Sequence, residues 1–224
     1  MILKFIFGKL PSLRGRFPYF GSWVYFPLGS VAFSEACRQG IFELENVKLL
    51  INLTRPKSWM FDVGANIGLM SLPVLHEQLS CSVLSVEPSP NSASFLEKTI
   101  DKSPYRERWK LVRKAAGAVQ GTTEFFVSQI QDSVYDLIVN TRRGNSGTII
   151  KVEMTTLDDE WKRLNCPEVS VLKIDTEGWE VRVLEGASDL IQSKKPHILL
   201  EWQRTNLEAA GIANSVLFEI ANKI

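Results

Sequence analysis

A surplus of charge is what this 224-residue sequence most plainly lacks: 26 Lys and Arg stand against 25 Asp and Glu, for a formal net charge of +1. A domain built to grip nucleic acid carries a strong basic excess, so that class of partner is set aside. Cysteine is scarce as well. Cys37, Cys81 and Cys166 form an odd, scattered set without a Cys-x-x-Cys pair. That pattern argues against a disulfide framework or a zinc site and points to a reducing, cytoplasmic setting. The 2 histidines, His76 and His197, are read as packing or surface residues, and no metal site is expected. Long aliphatic runs are missing too. Residues 1–7 are apolar but broken by Lys4, too short for the core of a signal peptide. Residues 17–34 hold no charged side chain, yet Pro18, Gly21, Pro27 and Gly29 interrupt any helix and the apolar content is aromatic. The expectation is an irregular segment packed on the domain, with a membrane surface or a second copy of the chain as the contacts it would serve.

What is present is the composition of a soluble globular protein, 45% hydrophobic and 23% charged, with length for one ordinary core. The expected division is an aromatic-rich segment, 1–39, followed by a single domain, 40–224. From residue 57 onward short β-rich runs alternate with helical stretches, the pattern of a parallel α/β sheet. Strands are expected at 59–63, 83–87, 109–112 (reaching toward Ala116), 169–175 and 197–202. Helices are expected over 69–79, from a cap at Asn91 or Ser92, over 157–164, after Gly178 as one stretch, and from Ser215. Residues 123–127 read as a hairpin strand and 128–150 as a polar loop.

Three motifs carry chemistry. Asp62-Val63-Gly64-Ala65-Asn66-Ile67-Gly68 follows the first strand and opens a helix, the setting in which glycine lets backbone and ligand approach. Its spacing is neither the Gly-x-Gly-x-x-Gly of a pyrophosphate site nor a phosphate loop, and fits a ligand with a zwitterionic amino-acid end. Asp62 would hold the ammonium of that end directly or through water. Glu87 ends the second strand nineteen positions after Gly68 (87 − 68), where an acid accepts hydrogen bonds from ribose hydroxyls. Lys173-Ile174-Asp175-Thr176-Glu177-Gly178 runs off the fourth strand, which flanks the first at the point where strand order reverses. Asp175 is the first candidate beside an acceptor, Glu201 the second, and Glu177 is read as partly structural.

In order along the chain, Phe61-Asp62-Val63-Gly64-Ala65-Asn66-Ile67-Gly68, Val86-Glu87-Pro88-Ser89-Pro90, Thr156-Leu157-Asp158-Asp159 and Lys173-Ile174-Asp175-Thr176-Glu177-Gly178 resemble the FkbM family of methyltransferases. The resemblance covers about residues 40 to 202. It implies an α/β, Rossmann-like class I methyltransferase fold, an open and mostly parallel sheet with helices on both faces. It implies S-adenosylmethionine as cofactor, its methionine part held by Gly64, Ala65, Asn66 and Gly68, its ribose by Glu87 and its adenine by the backbone of Ala115 and Ala116. It also implies transfer to a hydroxyl of a sugar, glycan or natural product; beside it, the place of Asp175 at the end of the fourth strand makes that residue the expected catalytic one.

In one respect the chain departs from that pattern. The 22 residues after Trp202 (224 − 202) read as a loop and a helix where the closing C-terminal β-hairpin of the fold is expected. The fifth strand would then be an apolar edge, and residues 17–34 or a partner are expected to cover it. The alternatives are an S-adenosylmethionine-binding or regulatory module impaired in catalysis, a nicotinamide oxidoreductase, and a membrane-associated partner protein acting through its aromatic N-terminus.

Overall fold

The computed structural model describes residues 6–7, 15–128, 147–213 and 215–221. Its centre is a five-stranded parallel sheet of β3 (Trp59–Val63), β4 (Ser82–Val86), β5 (Trp109–Val112), β9 (Val169–Ile174) and β10 (His197–Leu200), in the order β10-β9-β3-β4-β5. β3, β4 and β9 are buried along nearly their whole length, as their unbroken apolar runs require for strands covered on both faces. Alternate residues feed two cores. Met60, Val83 and Val171 enter one with Leu72, Leu75 and Leu96, while Phe61, Leu84 and Leu172 enter the other with Val183, Leu190 and Trp161. From β3 the chain builds outward through β4 to β5, then returns to lay β9 and β10 on the other side. The switch point therefore lies between β3 and β9, as the motifs required.

Four helices pack as connections: α3 (Ser71–Glu77) after β3, α4 (Pro90–Lys102) after β4, and α6 (Glu180–Glu185) and α7 (Ser188–Lys194) after β9. The cap of α4 is Ser89, whose hydroxyl accepts from Ser92 N, with Pro90 in the first turn; Asn91 and Ser92 lie inside the helix. The single helix expected after Gly178 is two. α6 ends at Gly186, where a Cβ would stand 2.0 Å from the Gly117 carbonyl oxygen, and the helix restarts at Ser188. The third strand stops at Val112, and Ala115–Ala116 form a separate short strand, β6. It joins β7 (Gly121–Ser128) and β8 (Gly147–Thr155) in a second sheet ordered β6-β8-β7. Much of the polar loop expected over 128–150 lies outside the described residues; its last part, from Gly147, is strand paired antiparallel to β7. α5 (Leu157–Arg163) follows, capped by Thr156, whose hydroxyl accepts from Asp159 N at 3.0 Å.

The aromatic segment is regular rather than irregular. β1 (Arg16–Tyr19) and β2 (Ser22–Tyr25) form a hairpin, and Ser30 caps α1 (Val31–Gln39), with α2 (Leu44–Leu53) next. Phe17, Tyr19, Val24 and Phe26 turn inward and share one core with Met60 and Val83; Phe26 stacks on Phe33 at 3.8 Å. The hairpin packs on α4, where Tyr25 N donates to Thr99 Oγ1, so it serves the β5 flank and not the β10 edge expected of it. β10 itself is half-buried beyond exposed His197, and Ile220 of α9 (Val216–Ala221) belongs to the same core as Ile198 and Leu200. Past β10 the described residues form α8 (Arg204–Ala209) and α9. No helix among the described residues is long and apolar enough to cross a membrane.

Candidate active site

A cavity of about 310 Å³ opens over the carboxyl ends of β3, β4 and β9, a volume at the lower end for small-molecule sites. Gly64, Ala65 and Asn66 line one side with Glu87, Ala115 and Ala116; Lys173, Asp175, Glu177 and Glu201 line another. The motifs that lie far apart in the sequence thus converge on one space. Two expected site residues do not reach it. Asp62 is 0% exposed and Gly68 is buried, and neither is among the lining residues.

The buried position of Asp62 has a physical explanation. Lys173 and Asp62 are register partners on adjacent parallel strands, and the Lys173 ammonium stands 3.2 Å from Asp62 Oδ1. The ammonium that Asp62 holds is therefore internal. Lys173 also reaches Asp175 Oδ2 at 3.3 Å and donates to the Gly64 carbonyl at 3.1 Å. Burial alone would lower the affinity of Lys173 for its proton, but the two carboxylates outweigh burial and hold the ammonium above its ordinary range. On the far side, Ser71 Oγ donates to Asp62 Oδ2 at 2.6 Å and meets Ser85 Oγ at 2.9 Å, and Trp109 Nε1 donates to Ser85. One buried polar row runs from Trp109 under the glycine turn to Asp175.

In the turn itself backbone conformation decides. Gly64 has φ +75°, and a Cβ there would stand 1.8 Å from the Asp175 carbonyl oxygen; only glycine admits that approach. A Cβ on Gly68 would strike Leu96 and Trp109 at 2.8 Å, so this glycine serves packing. The amides of the turn are already engaged. Gly64 N and Ala65 N both donate to the Val86 carbonyl, Gly68 N donates to Ala65, and Asn66 N donates to Glu87 Oε2 at 2.8 Å. A loop bonded in this way offers no nest of amides to a pyrophosphate, which agrees with its spacing. Glu87 is 6% exposed and accepts from Ser89 N through its other oxygen at 2.8 Å. A carboxylate presented to the cavity in this way is an acceptor of the kind a ribose diol needs.

The acid end differs. Asp175 and Glu201 follow the register pair Ile174–Leu200, so their side chains stand next to each other at the strand ends. The Asp175 side chain is 36% exposed. Glu201 Oε1 accepts from Gln203 Nε2 at 2.7 Å, while Oε2 is shut off from solvent and has no hydrogen-bond partner. Burial, then the Asp175 carboxylate, pushes Glu201 up to about 9. Glu177 Oε2 accepts from Asn206 Nδ2 at 2.6 Å, and Glu180 takes the Thr176 and Gly178 amides, so both brace the turn after β9. Sequence reasoning missed Phe42 and Glu43, which line the cavity from the α1–α2 corner, Glu43 with φ 44°. No local pattern marks them. Lys173 had a signal: a lone lysine inside an apolar strand must find carboxylates when buried.

The geometry fits a methionine-nucleoside ligand on three counts: a close-approach glycine at the switch point, a buried carboxylate presented by amides, and a predominantly acidic wall. Among curated proteins no relative matches. One solved structure that matches is described as a protein-L-isoaspartate O-methyltransferase from Plasmodium falciparum in complex with S-adenosyl-L-homocysteine. It is 14% identical, with a TM-score of 0.33, over 58% of this chain and 45% of that one. The family model for the FkbM methyltransferase domain matches residues 62–220, well over half of the chain, and takes in the Asp62–Gly68 turn, Glu87 and the Lys173–Gly178 segment. This chain belongs to the FkbM methyltransferase family, whose methyl donor is S-adenosylmethionine.

Proposed function

We propose that this protein transfers a methyl group from S-adenosylmethionine to a hydroxyl oxygen of a neutral, polar acceptor, a sugar, glycan or natural product, with Asp175 receiving the hydroxyl proton. The observation that carries this reading is the half-open Asp175 carboxylate, fixed by Lys173 next to the Gly64–Asn66 turn. The sulfonium supplies an already activated methyl group, so the protein's part is alignment, exclusion of water and proton removal. Gly64, Ala65 and Asn66 would flank the methionine part, Glu87 would accept from the ribose hydroxyls, and Ala115 and Ala116 would bound the adenine. Asp62 and Gly68 act from beneath, one as counter-ion to Lys173 and the other as a packing glycine.

The charge of the cavity supports the choice of acceptor. Glu43, Glu87, Asp175, Glu177 and Glu201 line it, and Lys173 is the one basic residue among the described lining residues. Such a wall favours a cationic donor and disfavours a phosphorylated or carboxylated acceptor. The test is transfer of labelled methyl to matched neutral and phosphorylated hydroxyl compounds, with cofactor affinity measured by calorimetry. Asp175→Asn is expected to lose roughly 100-fold or more in kcat while binding the donor within about threefold of wild type. Full turnover by Asp175→Asn, or preference for the phosphorylated acceptor, would overturn the reading.

A further inference from the structure

Among the described residues, Glu201 Oε2 combines burial, the lack of a hydrogen-bond partner and a place at the reacting end of the cavity. An ionised carboxylate in that position would be an uncompensated buried charge. Its neighbours make matters worse for the ion. Asp175 from β9, and Glu177 and Glu180 from the turn and α6, all raise the affinity of Glu201 for a proton. Lys173, the nearby cation, is already shared between Asp62 and Asp175. Gln203 satisfies only Oε1. A proton on Oε2 resolves the conflict, because the oxygen becomes a donor and the Asp175 carboxylate next to it becomes its acceptor.

We propose that Asp175 and Glu201 share one proton at neutral pH, and that Glu201 is the positioning residue that orients Asp175 toward the acceptor. This rests on the proton-accepting role given to Asp175 above. Lys173 holds one side of the Asp175 carboxylate and Glu201 steadies it from the adjacent strand, leaving a lone pair toward the cavity. In the reaction the acceptor O–H bond breaks as the O–C bond forms, and the S–C bonding pair returns to sulfur. The released proton goes to Asp175, so the pair briefly carries two protons and returns one to water. Above the range in which Glu201 keeps its proton, Lys173 faces a third carboxylate and the pair is forced apart.

The direction of the stability effect follows from linkage. Glu201 binds its proton more tightly in the folded chain than in the unfolded one, where a glutamate titrates near its ordinary value. Its contribution is complete below that ordinary value and is lost as pH rises toward about 9. Glu201→Gln, which cannot ionise, therefore gains heat resistance over wild type progressively across that window.

The deciding experiment is a carbon-13 titration of the full chain labelled at glutamate side-chain carboxyls. One resonance is expected to stay protonated through neutral pH and titrate close to 9, to vanish in Glu201→Gln, and to move toward the ordinary range in Asp175→Asn. If every glutamate is ionised by about pH 6, the shared proton is refuted whatever the enzyme does. The kinetic readout is the alkaline limb of methyl transfer. It should fall near 9 in wild type and disappear in Glu201→Gln, while Glu201→Ala loses about tenfold or more that the glutamine restores in large part. A limb that persists in Glu201→Gln also refutes the proposal. A normal glutamate titration together with vigorous hydroxyl methylation would sink the pair alone. The raised resonance without transfer to any hydroxyl would sink the proposed reaction and leave the shared proton standing.

Discussion

The two ends of the cavity are built on opposite plans. At the cofactor end backbone does most of the work: a left-handed glycine and one carboxylate, Glu87, whose two oxygens accept amides from Asn66 and Ser89. Its polar groups are largely settled before a ligand arrives, so the expected interactions need little reorganisation. At the acid end side chains dominate. Asp62, Lys173, Asp175 and Glu201 stand at the ends of three adjacent strands with one cation among them; Asp62 Oδ1 meets that cation without a hydrogen bond, and Glu201 Oε2 has no hydrogen-bond partner. The first plan favours fixed recognition. The second keeps charge poised, which suits the proton-accepting role proposed for Asp175.

The largest effect should come from removing the cation. Lys173→Met leaves the buried Asp62 carboxyl without its cation, and should cost about 3–5 kcal/mol in urea unfolding. An unchanged midpoint would mean that the row is not held together by charge. Next is Gly64→Ala, which drives a Cβ into the Asp175 carbonyl from a positive φ; a loss of about 3 kcal/mol and of donor binding in calorimetry is expected. That variant strikes both ends at once, and damage confined to one would weaken the account of their coupling. Glu87→Ala should lower donor affinity roughly 10- to 100-fold, or about 1.5–3 kcal/mol, and spare the alkaline limb set by Glu201. Undiminished affinity would remove the ribose assignment. The smallest effect belongs to Ser85→Ala, which strands the Trp109 indole N–H at the far end of the row. It should cost about 1–2 kcal/mol of stability and leave donor affinity alone.

Much of this is legible in the sequence. The unbroken apolar strands, the glycine spacing and the acids at strand ends fixed sheet type, switch point and convergence of motifs, because each is a local pattern with a topological consequence. What was not legible depended on register. Whether Asp62 faces a ligand or a lysine is settled by its pairing with Lys173 across 111 positions (173 − 62), which no local pattern reveals. The same holds for Asp175 and Glu201, ordinary acids until adjacent strands bring them abreast. The hairpin at Arg16–Tyr25 was hidden for another reason: proline and glycine disguised it, and its inward residues, Phe17 and Tyr19 on one strand and Ser22 and Val24 on the other, alternate over only four residues per strand.

A single missing methyl carries one more consequence. The turn after β3 and the end of β9 come as close as they do because position 64 has only hydrogen where other residues carry carbon. That hydrogen works as a gauge block between the two segments, setting how far the proposed donor cradle stands from Asp175, the proposed proton acceptor. The reach of the transferred methyl is then a property of main chain against main chain. Substitutions that reshape the acceptor's surroundings can alter what is methylated without resetting that distance.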